Sequence, residues 1–356
     1  MMVGTRKGLW IGRSEDRASW SWGEPSFPME EVYSCLVDTR GGSVRLLAGT
    51  GSPHWGPHVY RSDDLGETWQ ETPNVMTLPA DAEGGVQQIW QLWPGGNAEP
   101  DVVYAGTQPS ALFRSEDRGE TFALVDALWN HPHRPEWGAG FGGQAIHTIL
   151  PHPTDAQDVL VAMSTGGVYR THDGGSSWAP SNTGVSAGFM PDGQQYPEFG
   201  QCVHKVARHR DHPDRLFLQN HGGVYRSDNG GDSWESIADG LPSDFGFGAV
   251  VHPQEPETVF LFPNGAGEMR FPPGAHARVW RSRDAGGAWE ECGNGLPDGF
   301  YSSVLRDAMC ADDHESAGIY LGTRCGNVFA STDGGETWDE VVKHLPDVVV
   351  VRAAVV

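Results

Sequence analysis

The chain carries 47 acidic and 24 basic residues in 356, a formal net charge of −23 that disfavours nucleic acid as a partner, because phosphate binding needs a cationic surface. No stretch of about 18 apolar residues occurs, and the first residues read as a strand instead of an apolar leader. Membrane spanning and export are therefore not expected, and a cytoplasmic location is.

From the N-terminus, Met2-Val-Gly-Thr-Arg6 and Gly8-Leu-Trp-Ile-Gly12 read as two short strands, closed by Ser14-Glu-Asp16-Arg-Ala18-Ser-Trp20. A fuller form of that closing phrase is Ser62-Asp63-Asp64-Leu65-Gly66-Glu67-Thr68-Trp69, and it returns at 115–122, 171–178, 227–234, 282–289 and 331–338. A period of roughly 50 to 56 residues means stacked identical units. Within a unit the order is constant. Residues 146–150 form a β-prone run before Pro151-His152-Pro153, 159–163 a second, 167–170 a third leading into the Asp phrase, and a fourth opens at the Trp. Short runs of Val, Leu, Ile and aromatics between Gly, Pro, Asn and Asp are strands between turns. Residues 348–351, at the far end, read as a first strand for the unit that Met2 begins.

The expected fold is all-β: a single seven-bladed β-propeller with four-stranded blades, residues 1–356 forming one domain, and the N- and C-terminal strands sharing one blade. Blades are expected at 347–356 with 1–28, then at 29–78, 79–135, 136–185, 186–242, 243–298 and 299–346. The shared blade removes free strand edges. The five cysteines, Cys35, Cys202, Cys292, Cys310 and Cys325, form no CxxC pair and leave an odd one out, which suits a reducing compartment. In the Asp phrase, an Asp two residues after a Ser can fold its carboxylate onto backbone N–H groups. The Gly permits positive φ, and the Trp packs between units. Asp64, Asp117, Asp173, Asp284 and Asp333 are thus expected to be structural, as are His152, His212 and His252 in their His-Pro turns.

Ser-x-Asp-x-Gly-x-Thr-Trp resembles the Asp-box, or bacterial neuraminidase repeat. It is found in sialidases, sortilin-type receptor propellers, xyloglucan-degrading glycosidases and photosystem assembly factors. The resemblance covers nearly the whole chain, with departures at Asn229 and Ala18. It implies the propeller fold but no single activity, since the families sharing it differ in function. The sialidase members imply an arginine triad, for which Arg6 and Arg324 stand in matching Gly-Thr-Arg turns, with Arg134 or Arg270 as a third. They also imply a tyrosine nucleophile, for which Tyr33, near Glu30 and Glu31, or Tyr301 is available. The Arg-Ile-Pro motif of sialidases is absent.

The long insertions fall in two loop classes, those joining second to third strands and those entering first strands. The former are 51–58, with His54, Trp55 and His58, and 264–276, with Glu268 and Arg270; the latter are 128–143 and 186–200, with Glu136, Asp192, Tyr196 and Glu198. Long loops on a rigid scaffold tend to carry function. Aligned first strands place Tyr33, Trp90, His147, His204 and Phe247 at equivalent positions, with Glu30, Gln87, Gln144, Gln201 and Asp244 three residues earlier. Aromatic faces and amides suit a sugar-like ligand; they equally suit a channel filled by side chains.

These residues point to a glycoside hydrolase-like, carbohydrate-active propeller with its ligand site at the channel mouth. Glu30, Glu31, Glu198 and Asp244 are the candidate catalytic carboxylates. Arg6, Tyr33, His54, His58, Trp90, Gln144, His147, Gln201, His204 and Arg324 are the candidate contacts to a carbohydrate or other small molecule. This reading needs no cofactor. One alternative is a non-catalytic scaffold that grips a protein or peptide through Trp55, Trp129, Trp137 and Phe141. Another is a metal-dependent hydrolase or lyase in which His147, His204 and His58 hold a divalent metal.

Overall fold

The computed structural model describes residues 1–73, 76–140, 142–266 and 269–356. The fold is all-β, a seven-bladed β-propeller of seven four-stranded antiparallel sheets. Two compact units divide the chain: Met29–Asn182 with Glu198–Val203 and Val356, and Met1–Pro28 with Thr183–Pro197 and His204–Val355.

The unit containing Met29–Asn182 holds three sheets. Their first strands are Glu31–Asp38, Gln88–Pro94 and Ile146–Pro151, their second Arg45–Ser52, Val103–Gln108 and Val159–Met163, and their third Gly56–Ser62, Ala111–Ser115 and Gly167–Thr171. Each ends in a two-residue fourth strand. Val159–Met163 is buried at every position, so its unbroken apolar run reflects cover on both faces rather than alternation. Leu47, Val59, Leu92, Val103 and Phe113 form one core between neighbouring sheets, and Tyr104, Ile149, Val161 and Tyr169 another.

The other unit holds four sheets, with first strands Val203–His209 (all but Val203 in this unit), Phe245–Val251, Met309–Ala311 and Val348–Arg352. Val348–Arg352 pairs antiparallel with Met2–Thr5, Val350 opposite Gly4, so the chain's two ends share a sheet as the sequence predicts. Phe260, Phe262, Ile319, Leu321, Phe329 and Val348 make its larger core.

The Asp phrase forms the same turn after the third strands that end at Ser62, Ser115, Thr171, Ser227, Ser282 and Ser331, whereas in the shorter first copy Asp16 accepts the Ala18 and Ser19 N–H groups. Ser62 donates its hydroxyl to Asp64 (2.7 Å) and accepts the Gly66 N–H (2.8 Å), while Asp64 accepts the Thr68 N–H (2.9 Å) and hydroxyl (2.6 Å). At Ser115, Asp117, Gly119 and Thr121 the four distances are 2.7, 2.8, 2.9 and 2.6 Å. The glycine has a reason beyond its φ of 87°: a Cβ at Gly119 would stand 2.7 Å from Leu47 Cδ1. Asn229 keeps the turn, accepting from the Ser227 hydroxyl and the Ser233 N–H and donating to the Ser233 hydroxyl. His152 and His252 fix their His-Pro turns by accepting backbone N–H groups on Nδ1. At the equivalent turn the histidine that does so is His209, two residues before Asp211, not His212.

Candidate functional site

In the unit of Met29–Asn182, three aligned residues share one cause for their orientation. Pairing between first and second strands slips between Val32 and Ser34, between Ile89 and Gln91, and between Ile146 and Thr148. Tyr33, Trp90 and His147 are the residues left over. A bulge of this kind bends the strand and re-aims the extra side chain. Tyr33 and Trp90 meet with ring centroids 5.4 Å apart. Trp90 donates its indole N–H to Gln108 Oε1 (3.1 Å), and Gln108 donates to Gln87 Oε1 (3.0 Å). Two half-buried rings thus adjoin a fixed chain of amides, the pairing that holds a pyranose by its C–H face and its hydroxyls.

His147 does not join this surface. It is fully buried, donates Nε2–H to the Val203 carbonyl (2.9 Å) and bonds the Thr148 hydroxyl through Nδ1. Gln144 lies on the amide side, accepting the Ser110 N–H, whereas Gln201 is fully buried. Glu31 begins its strand opposite Gly51, at the base of the hairpin that carries His54 and Trp55. Glu30, one residue earlier, has Oε2 buried with no hydrogen-bond partner among the described residues. Burial raises the Tyr60 phenol, and the charges of Glu30 and then Glu71 raise it further. At the hairpin tip His54 packs edge-on to Trp55, which is 69% exposed. His58 is fixed between Glu71 Oε1 (2.7 Å) and the Trp55 carbonyl (3.0 Å). Glu198 is exposed and belongs with the 128–143 loop: its charge reaches His131 and Tyr169, and its neighbour Phe199 stacks on His133 at 4.0 Å.

In the other unit, Arg6 and Arg324 meet on one carboxylate. Arg6 Nε is 3.2 Å and Arg324 Nη2 3.0 Å from Asp347 Oδ2. Asp347, which the sequence reading passed over, thereby occupies the place a ligand carboxylate would take. Phe247 sits in a bulge between Gly246 and Ala249. His204 stacks on Phe247 at 4.9 Å and donates Nδ1–H to the Gly246 carbonyl at 2.6 Å. Burial, then Arg306, pushes His204 well below the ordinary imidazole range despite that carbonyl, so the ring is neutral. His221 completes the cluster, edge-on to His204 and Phe245, with Arg306 over the Phe247 ring. Asp244 is exposed beside it and acts on His221 through its charge, against the lowering by burial and Arg270. His221 was missed because it lies in a short Asn-His-Gly-Gly turn; its place between second and third strands was the available signal.

Three sequence expectations change. Both ring nitrogens of His58 and of His147 are committed to protein partners, so the set His147, His204 and His58 is not a ready metal centre. Among the described residues of the expected apolar patch, Trp129 and Trp137 are buried and Trp55 is exposed, so these three do not form it. Phe141 and Glu268 lie outside the described residues. Of the further arginines, Arg134 lies over Trp129, away from Arg6 and Arg324 in sequence and partners, and Tyr301 is exposed with its ring edge against Phe271.

No family model matches the chain. It is 27% identical over 337 residues to a xyloglucanase of Hypocrea jecorina, covering 92% of this chain and 33% of that protein. Against a xyloglucanase of Paenibacillus sp. it is 26% identical over 276 residues, 69% of this chain and 25% of that one. The chain therefore spans a quarter to a third of the length of these curated relatives. Among solved structures it is similar to an ancestral GH74 enzyme, with TM-score 0.60, 18% identity, and 94% of this chain and 40% of that one covered. It is similar also to YCF48 bound to D1 peptide, with TM-score 0.55, 15% identity, and 94% and 85% covered. These structural likenesses concern the fold.

Proposed function

We propose that the chain is a carbohydrate-active propeller of the glycoside hydrolase type, one domain of Asp-box blades over residues 1–356, that binds and cleaves a neutral glucan of the kind xyloglucanases act on. The carrying observation is the Tyr33–Trp90 ring pair with its Gln108–Gln87 amide chain. The xyloglucanase relatives supply the substrate class. The surplus of acidic residues weighs against a polyanionic glycan. Glu31 opens the strand that carries Tyr33, two residues before it, and is the proposed acid/base. Its partner carboxylate is drawn from Glu30 and Glu198, which lie in the same unit. The five free thiols support a cytoplasmic setting.

The test is turnover of xyloglucan oligosaccharides. Glu31→Gln should lower kcat by roughly 10²–10⁴-fold with the melting temperature unchanged. Trp90→Ala should weaken binding roughly tenfold. Absence of both binding and turnover by the unmodified chain would overturn the proposal. Binding without turnover favours a non-catalytic scaffold.

A further inference from the structure

A cavity of about 550 Å³ opens in the unit of Met29–Asn182. Its lining includes Trp129, His131 and Arg134 together with Asp81 and Glu83. The Arg134 guanidinium carbon lies over the Trp129 ring, 3.4 Å from its centroid. Its Nε is buried with no acceptor among the described residues. Burial lowers its pKa. A guanidinium nitrogen left without an acceptor in a cavity is a place that an anion can take. His131 adds no charge of its own: it donates Nε2–H to the Trp178 carbonyl and accepts the His133 N–H, and burial, then His133, lowers its pKa.

The cavity lining thus holds one cation and two exposed carboxylates. A phosphate or other multivalent anion would meet Asp81 and Glu83. A neutral sugar would leave Arg134 unpaired, and a simple monocarboxylate would leave both acids unanswered. A ligand with one carboxylate and a surplus of cationic groups answers all three. The volume lies within the 300–1,000 Å³ range of small-molecule sites, roomy enough for a long side chain.

We propose that this cavity binds an α-amino acid with a cationic side chain, its carboxylate paired with Arg134 and its cationic groups directed to Asp81 and Glu83. The proposal stands independently of the glycan reading. Titration with L-arginine, followed by Trp fluorescence and calorimetry, should saturate. Agmatine, which lacks the carboxylate, should bind at least about tenfold more weakly. Arg134→Gln should lower L-arginine affinity by a similar factor and leave glycan turnover unchanged. Because Arg134 packs on Trp129, the double variant Asp81→Asn/Glu83→Gln, at exposed positions, provides a second arm with the same expected loss. No saturation by about 10 mM L-arginine overturns the proposal, as does equal affinity for agmatine or undiminished affinity in both variants. Loss of glycan turnover in Arg134→Gln without loss of L-arginine binding also overturns it.

Discussion

The two ends of each sheet are built on different rules. After the third strand, Ser62–Asp64–Gly66–Thr68 and Ser115–Asp117–Gly119–Thr121 make the same four hydrogen bonds to within 0.1 Å, and Asn229 reproduces them with an amide. Between second and third strands neither the loop length nor the residues repeat: two residues separate Thr5 from Gly8, whereas residues 265–278 separate Asn264 from Val279. One hairpin presents His54 and Trp55, two others present Arg6 and Arg324 to Asp347, and another holds His221. Identity at the first end follows from a turn with one chemical solution. Variety at the second is what a frame that holds itself together permits, and a ligand-specific surface requires.

The comparison breaks if a divergent position proves to hold the fold more firmly than the repeated turn. Asp307 is such a position. Fully enclosed, it bonds Lys205 Nζ at 2.8 Å and the Arg352 guanidinium. Burial opposes its charge, yet Lys205 and Arg352 outweigh burial and keep the carboxylate ionised. Asp307→Ala would leave two buried cations without their anion, at a cost of about 3–5 kcal/mol. Denaturant unfolding measures it. A change under about 1 kcal/mol would mean that water reaches the site once the carboxylate is gone.

Asp117→Ala sharpens the other side. It removes bonds from the Ser115 hydroxyl, the Thr121 N–H and the Thr121 hydroxyl. Since Asp117 is exposed and water replaces part of what is lost, the expected cost is about 1–2 kcal/mol, read from the same unfolding curves. Removal of one turn in a repeated set should therefore hurt less than removal of the single Asp307.

The difference between the ends also governs what the sequence disclosed. Four-stranded sheets and the shared terminal sheet were legible because the turn repeats and its chemistry is local: every bond in it spans four residues or fewer. The ring positions were legible as an alignment, and the register slips at Tyr33, Trp90 and His147 give that alignment its cause. What became of each ring residue was not legible. Trp90 finds Gln108 and remains half-buried, whereas His147 finds the Val203 carbonyl, 56 residues on, and is enclosed. Asp347 and His221 went unread for the same reason: their partners, Arg6 at a separation of 341 and His204 with Phe245, are set by packing and not by any local phrase.

The smallest expected effect tests whether the turn depends on charge or only on shape. The Thr68 hydroxyl, then the Thr68 N–H and Ser62, hold the Asp64 carboxyl down to about 2. An unfolded aspartate titrates near about 3.9, so the folded value is depressed. The resulting stabilisation is present in full above about pH 4 and is lost as pH falls towards 2. Asp64→Asn has no proton to take up, and Asn229 shows that an amide fits the same bonds. The variant should melt within about 2 °C of the unmodified chain at pH 7 and lose less of its melting temperature between pH 4 and pH 2. Identical acid profiles would assign the titration elsewhere and leave geometry, not charge, as the reason an acid stands in the turn.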